Sequence, residues 1–83
     1  MASVEVRVFA NLRQSVNPDV APDPDNPFQV DIRDGEVLGG LLDILGIPKD
    51  TIIIGLVNGV RQSMDYILKD GDRVGFFPPM GGG

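Results

Sequence analysis

A single segment with helical spacing, residues 36–46, stands between segments that carry strand patterns, and it constrains the fold more than any other feature. Its apolar residues share one helical face: Val37, Leu38, Leu41, Leu42 and Leu45. Asp34 is the expected N-cap, and Gly46 with Pro48 ends the helix. Such a face must be buried against another element, so the sequence predicts a two-layer α+β fold with one helix packed on a mixed sheet of four to five strands.

The strand patterns lie on both sides of this helix. Residues 4–9 and 28–33 alternate apolar and polar side chains, which predicts two half-buried strands that pair with each other. Residues 51–57 are β-branched and almost continuously apolar, which is typical of a strand inside a sheet. The Asn-Gly pair at residues 58–59 predicts a tight turn, and residues 73–77 form the last strand.

Two further segments are interpreted from their glycine and proline content. Residues 15–27 hold four prolines and three aspartates, so we expect a polar loop with no core of its own that serves as a connection within the domain. Gly39 and Gly40 weaken the helix by roughly 1 kcal/mol each relative to alanine, and we interpret them as letting it lie close to the sheet. The chain is then one domain, residues 1–77, followed by a tail, residues 78–83.

The composition excludes several classes of function. Cysteine and histidine are both absent, which removes disulfides, thiolate and imidazole catalysis and nearly every soft-metal site. The net charge of −5 disfavours nucleic acid as a partner. The Asp-Gly-Asp sequence at residues 70–72 lacks the further oxygen ligands of a calcium loop, so we expect no bound metal. Neither a long apolar run nor a signal peptide occurs, so we expect a cytoplasmic protein without a membrane partner.

The last eight residues, F-F-P-P-M-G-G-G, carry the chemistry that remains. Pro78 and Pro79 lack backbone N–H groups, so the sheet cannot continue and the chain is directed away from it. The six residues of the tail span at most ~20 Å, enough to enter another protein's active site. The candidate reactive group is the carboxylate of Gly83, which activation as an acyl adenylate would open to attack by a persulfide sulfur. The competing interpretation is an idle, frayed end.

Together these segments resemble the MoaD/ThiS family of β-grasp sulfur carriers, and within it the small subunits of molybdopterin synthase. The resemblance covers nearly the whole chain. It rests on five stretches, of which the last two in tandem are the most specific: V-E-V-R-V-F-A-N-L-R at 4–13, the leucine-rich helix at 36–46, V-N-G-V-R at 57–61, D-G-D-R-V at 70–74 and F-F-P-P-M-G-G-G at 76–83.

The resemblance implies a β-grasp, ubiquitin-like fold and a mechanism. In this family an activating enzyme adenylates the terminal glycine with ATP, and a sulfur donor protein converts it to a thiocarboxylate. The large subunit of molybdopterin synthase, a MoaE-like protein, then receives the tail and the sulfur passes to a pterin precursor. By position Gly83 is the thiocarboxylated residue and Gly82 its diglycine partner, although either could be the natural terminus. The chain itself would bind no cofactor and would act as a carrier subunit rather than as an enzyme.

A partner-binding surface is predicted at the base of the tail. Alternation places Phe9 on the outer face of the first strand and Phe77 on the outer face of the last. Neighbouring strands, as in the β-grasp fold, would join them into an apolar patch that anchors a partner, with Pro78, Pro79, Met80 and Gly81 following it. The alternative is that the proline loop or Met80 covers both rings.

The sequence is compatible with three other functions. The resemblance also includes archaeal protein modifiers, so the alternative function is an isopeptide bond between Gly83 and lysines of target proteins. Thiamin-type sulfur carriage is a further possibility. A plain β-grasp binding module with an idle tail ranks last.

Overall fold

The computed structural model describes residues 2–48 and 53–79 of the 83-residue chain. Within them the elements follow in this order: β1 (Ala2–Val8), a 3₁₀ helix (Ala10–Ser15), β2 (Phe28–Ile32), α1 (Leu38–Leu45), β3 (Ile54–Val57), β4 (Val60–Gln62) and β5 (Arg73–Phe77).

The five strands form one mixed sheet in the order β2-β1-β5-β3-β4. β1 pairs with β2 antiparallel and with β5 parallel, while β3 runs antiparallel to both β5 and β4. The predicted pairing of the first two strands is confirmed, as is the last strand. Of the predicted strand at 51–57, the part from Ile54 is confirmed, whereas residues 51–52 lie outside the described residues. The sequence interpretation missed β4 and the 3₁₀ helix.

The core lies between α1 and the inner face of the sheet. Val4, Val6, Leu38, Leu41, Leu45 and Phe76 have no measurable exposure. Four of the five apolar positions of the predicted helical stripe are buried, and the fifth, Val37, is half-buried. This confirms the helical face that the spacing predicts. Burial of an aliphatic side chain stabilises a fold by about 1.5–3 kcal/mol, so this layer dominates the favourable side of folding.

Asp34 does not cap the helix, and this prediction is wrong. Helix α1 begins at Leu38 with Val37 as its N-cap, and no side chain caps it. The first N–H groups of the helix donate instead to backbone carbonyls of the segment that crosses its end: Leu38 to Tyr66 at 2.9 Å and Gly39 to Met64 at 2.7 Å. These bonds satisfy groups that a capping side chain would otherwise have to satisfy. The predicted end is confirmed, because Gly46 adopts a left-handed conformation with φ of 80°.

The interpretation of Gly39 and Gly40 is also wrong, because neither of these helix glycines faces the sheet at close range. A Cβ atom at Gly39 would lie 3.2 Å from Met64, and one at Gly40 would meet the Glu36 side chain. The close approach of helix to sheet occurs at Gly55 on β3, where a Cβ atom would lie 2.7 Å from Leu38 Cδ2. Close packing between helix and sheet thus occurs at a strand glycine, where an added side chain would force the Leu38 side chain to shift.

The proline loop, residues 15–27, has no core of its own, as expected, but two of its residues join the main core. Val16 and Ala21 are 6% and 1% exposed and belong to the main apolar cluster. The Asn17 N–H donates to the Leu45 carbonyl at 2.8 Å, which joins the loop to the C-terminal end of α1. Two apolar residues among many polar ones show no periodicity, so their burial depends on this tertiary contact.

No helix of the described residues is long and apolar enough to cross a membrane.

Leu41→Ala should lower the free energy of unfolding by about 2–5 kcal/mol, because it removes a fully buried side chain from the helix–sheet interface. Urea denaturation followed by circular dichroism measures this change. Ile67→Ala is the matched control, since Ile67 is 58% exposed and its truncation should change stability by less than about 0.5 kcal/mol. Equal losses for the two variants would contradict the assignment of the core.

Candidate functional site at the base of the C-terminal tail

The face of the sheet opposite α1 is left open by the rest of the described chain. Strand alternation places seven side-chain positions near its centre on this outer face: Glu5, Arg7, Leu56, Arg61, Arg73, Gly75 and Phe77. The inner residues of β1, β3 and β5 are buried under the helix. One sheet therefore presents an apolar inner surface to the core and a mixed, accessible outer surface to a partner.

Phe9 and Phe77 stack on each other at the edge of this outer face. Their ring centroids lie 4.4 Å apart with an interplanar angle of 2°. Phe9 directly follows β1, and its N–H donates to the Phe76 carbonyl at 3.0 Å, so the parallel ladder sets the two aromatics side by side. The predicted juxtaposition is confirmed. We call this pair the aromatic stack.

The aromatic stack is accessible. Phe9 is 38% exposed and Phe77 is half-buried, so the proline loop does not bury them as the alternative interpretation requires. Met80, the other cover that this alternative names, lies outside the described residues. Stacked rings of this kind contribute about 0.5–1.5 kcal/mol beyond the area that they bury. The stack is thus a rigid apolar feature, and such features supply the anchors of protein interfaces.

The chain leaves the sheet at Phe77, directly beside the aromatic stack. β5 ends there. Of the two residues that follow, Pro78 is half-buried and Pro79 is exposed, and neither belongs to a strand. The predicted end of the sheet at the proline pair is confirmed. Met80, Gly81, Gly82 and Gly83 lie outside the described residues, so the proposed reactive carboxylate and its neighbours remain predictions.

Gly75 lies at the centre of the outer face, and the sequence interpretation did not single it out. Its neighbours across the sheet are Arg7 on β1 and Leu56 on β3. A Cβ atom built on Gly75 would lie 3.5 Å from the Phe9 ring and 3.6 Å from the Phe77 ring. The missing side chain leaves a shallow depression, which we call the Gly75 notch, within a groove of about 280 Å³. A lone glycine inside a strand pattern is the signal that points to it.

Arginines border the same groove. Arg7 and Arg73 line it, and Arg61 lies opposite Leu56 on β4. Arg7 reaches Glu5 only at 4.0 Å, an exposed contact of little energetic weight. Over residues 2–48 and 53–79, neither Arg61 nor Arg73 has an acidic group within salt-bridge distance. The outer face is therefore locally cationic on a chain whose net charge is −5.

Hydrogen bonds around the turn before β5 hold Arg73 in place. Asp72 is 7% exposed, and its carboxylate accepts from Asn58 Nδ2 at 2.9 Å and from the Lys69 N–H at 2.8 Å. The Asn58 side chain in turn accepts from the Arg73 N–H at 3.0 Å. Asp70 accepts from the Ser3 N–H at 2.9 Å. Asp72 thus organises the turn, and Asp70 joins it to β1. The described part of the chain holds no cluster of three or more metal-ligating side chains.

Asp72→Ala should destabilise the fold by about 1–3 kcal/mol, because it leaves the Asn58 amide and the Lys69 N–H without their acceptor. Thermal and urea denaturation measure the loss. Asp34→Ala is the control, since Asp34 is exposed and caps no helix, and its change should stay within about 0.5 kcal/mol. A loss at Asp34 as large as that at Asp72 would contradict both assignments.

The fold and the site define a class of protein. One helix packed across a five-stranded mixed sheet, with the first and last strands parallel and adjacent at its centre, is the β-grasp architecture of ubiquitin-like proteins. The chain belongs to the ThiS family, whose family model matches residues 6–83. It is thus a member of the ubiquitin-like sulfur carriers that the sequence resembles. Such small carriers are in general not catalysts, and membership implies partnership with activating enzymes.

Solved structures of similar proteins agree with this assignment. A Pyrococcus furiosus protein described as molybdopterin converting factor, subunit 1, is 28% identical with a TM-score of 0.70, over 96% of this chain and 100% of that one. Small archaeal modifier protein 1 from H. volcanii is 25% identical with a TM-score of 0.70, over the same shares. Small archaeal modifier protein 1 from Methanosarcina acetivorans is 30% identical with a TM-score of 0.58, over 100% of this chain and 98% of that one. Comparison with curated protein sequences gives no significant match.

Proposed function

We propose that this protein carries sulfur as a C-terminal thiocarboxylate for the biosynthesis of molybdopterin, the pterin of the molybdenum and tungsten cofactors. The observation that supports this most directly is the point at which the chain leaves the sheet. Strand β5 ends at the accessible aromatic stack, and in the sequence Pro78, Pro79 and the terminal glycines follow it. The likeness to the Pyrococcus furiosus protein described as molybdopterin converting factor, subunit 1, favours the pterin branch.

The proposed chemistry takes place on the carboxyl group of Gly83. A carboxylate oxygen attacks the α-phosphate of ATP in the activating enzyme, and pyrophosphate leaves. The terminal sulfur of a persulfide on the sulfur donor then attacks the acyl carbon, and AMP leaves. A thiol cleaves the resulting acyl disulfide and releases the thiocarboxylate. The carrier supplies no catalytic group and binds no cofactor, since ATP is held by the activating enzyme.

The folded body supplies the affinity that the tail lacks. Ordering glycines in a partner's channel costs more backbone entropy than ordering any other residue type. The aromatic stack lies beside the exit of the tail, so a partner that binds it receives the tail at a fixed starting point. In this proposal Phe9, Phe77, Pro78, Pro79, Met80 and Gly81 contact two partners in turn, the activating enzyme and a MoaE-like large subunit. We place these steps in the cytoplasm, where ATP is available.

Conjugation to proteins is the second candidate function. The specific observation in its favour is the likeness to two solved archaeal modifier proteins that cover nearly the whole chain. Both functions begin with adenylation of the terminal glycine, and they differ in the nucleophile that follows: a persulfide sulfur or a lysine amine. Thiamin-type carriage differs from the first proposal only in the acceptor of the sulfur.

Intact mass spectrometry tests the proposal. After co-expression with the activating enzyme and the sulfur donor of its host, the chain should gain the mass difference between sulfur and oxygen on its C-terminal peptide. A chain that ends at Pro79 is the control and should gain nothing. An unchanged mass in the presence of an enzyme set shown to be active would contradict sulfur carriage. Higher-mass conjugates that disappear in the same truncated control would favour the modifier.

Phe9→Ala should weaken binding to the activating enzyme by about tenfold or more, because it removes half of the aromatic stack. Isothermal titration calorimetry gives the affinity, and a thermal melt checks the fold. Loss of the stacking contribution, about 0.5–1.5 kcal/mol, should lower the melting temperature by several degrees while the variant stays folded at the temperature of the titration. Ile67→Ala removes a comparably exposed apolar side chain elsewhere and should bind like the wild type. Unchanged affinity for Phe9→Ala would exclude the stack as an anchor.

A further inference from the structure

The asparagines of this chain differ in the residue that follows each of them. Asparagine is thermally labile because the backbone nitrogen of the next residue attacks its side-chain amide and expels ammonia. Asn17 and Asn26 precede prolines, whose nitrogen has no hydrogen to lose. Asn11 precedes Leu12, whose side chain crowds the attacking nitrogen. Asn58 alone precedes a glycine, so the sequence concentrates this chemistry at one residue.

The hairpin turn between β3 and β4 requires this labile pair. Asn58 and Gly59 form the two-residue turn and both have positive φ, 52° and 84°. Such a turn favours Asn-Gly, because asparagine tolerates the left-handed conformation and glycine has no Cβ atom to oppose it. Both residues are exposed, so water reaches them. The backbone geometry of the turn thus places the most reactive asparagine of the chain at the surface.

Hydrogen bonds to β5 and to the residue before it oppose the reaction at Asn58. Its Nδ2 donates to Asp72 Oδ1 at 2.9 Å, and its Oδ1 accepts from the Arg73 N–H at 3.0 Å. The Asn58 N–H donates to the Arg73 carbonyl at 2.7 Å. The side-chain amide is therefore bonded at both of its ends, whereas attack requires that it turn to the Gly59 nitrogen. Loss of Nδ2 also removes the donor to Asp72.

Deamidation would place a carboxylate where Asp72 now has a donor. Asp72 is 7% exposed, and its other donor is the Lys69 N–H at 2.8 Å. Two carboxylates at hydrogen-bond distance repel each other, and the repulsion is stronger where water is largely excluded. The product therefore loosens the β3–β4 turn from β5 and lowers the stability of the fold.

We propose that Asn58 is a site of spontaneous deamidation, held back while the β3–β4 turn is bonded to Asp72 and Arg73 and released when this turn opens. The deprotonated nitrogen of Gly59 bonds to Cγ of Asn58, and the bond to Nδ2 breaks as ammonia leaves with the proton. Water then opens the succinimide ring at either carbonyl and returns a proton to the ring nitrogen, which leaves aspartate or isoaspartate. The reaction needs only water and is independent of the proposed function.

The rate of deamidation tests the role of the turn. The full-length chain is incubated at mildly alkaline pH, and peptide mapping follows the mass difference between –OH and –NH2 at each asparagine. Asp72→Ala removes the acceptor of Nδ2 and should speed the reaction at Asn58 about tenfold or more. Asp70→Ala is the matched control, because Asp70 bonds to the Ser3 N–H and to neither end of the Asn58 amide. It should react like the wild type.

A second control separates opening of the turn from unfolding of the whole domain. Leu41→Ala removes more stability than Asp72→Ala but leaves the turn intact, so it should speed the reaction less. Acceleration by Leu41→Ala as large as that by Asp72→Ala would overturn the proposal, as would an unchanged rate in Asp72→Ala. Reaction at Asn11 as fast as at Asn58 would overturn it too. If Asp72→Ala does not fold, Asp72→Glu, which displaces the acceptor by one carbon, takes its place.

Thermal melts at neutral pH test the effect of the product. Asn58→Asp should melt several degrees below the wild type, and so should the deamidated wild-type fraction separated by anion exchange, which serves if the variant does not fold. Asn26→Asp is the matched control: Asn26 Nδ2 also donates to an aspartate, Asp23, at 2.7 Å, but both residues are exposed. Its loss should be smaller. Equal melting of the two variants, or no loss at residue 58, would contradict the proposed consequence.

Discussion

The parallel pairing of β1 with β5 is the interaction on which the rest of the structure depends. Parallel neighbours cannot be joined by a short turn, so β2, α1, β3 and β4 all belong to one long connection between them. The same register buries Val6 beside Val74 under the helix and sets Arg7 beside Gly75 on the other face. It also brings Phe9 to Phe77, where the tail departs. The buried pairs of the core, the neighbours on the outer face and the point where the chain leaves the sheet thus all follow from the β1–β5 ladder.

The two faces of the sheet divide the work of the molecule. The inner face is filled by aliphatic side chains and by Phe28 and Phe76, and it supplies the apolar burial that opposes chain entropy. The outer face gives up part of that gain, since Gly75 carries no side chain to bury and Arg7 and Arg73 line the groove beside the exposed aromatic carbon. A surface that contributes so little to folding can be specialised for recognition without endangering a small domain.

Most of the fold and part of the site could be predicted from the sequence, because they depend on local periodicity. Alternation located the strands and the faces of Phe9 and Phe77, and helical spacing located the buried leucines. The sequence does not show contacts made by backbone groups that are distant along the chain. The carbonyls of Met64 and Tyr66 accept the bonds that Asp34 was expected to accept, and the Asn17 N–H bonds to the last turn of the helix. The Gly75 notch could not be derived either, since a strand glycine acquires meaning only from neighbours on other strands. The terminal glycines could be interpreted only through chemistry.

The location of β5 has a mechanical consequence. It is hydrogen-bonded on both sides, to β1 and to β3, and its last residue, Phe77, is the point where the chain leaves the sheet. A force applied at Phe77 along the axis of β5 therefore strains both ladders in shear, all bonds at once, instead of unzipping them one by one. The folded body thus resists extraction of β5 most strongly along the strand's own direction.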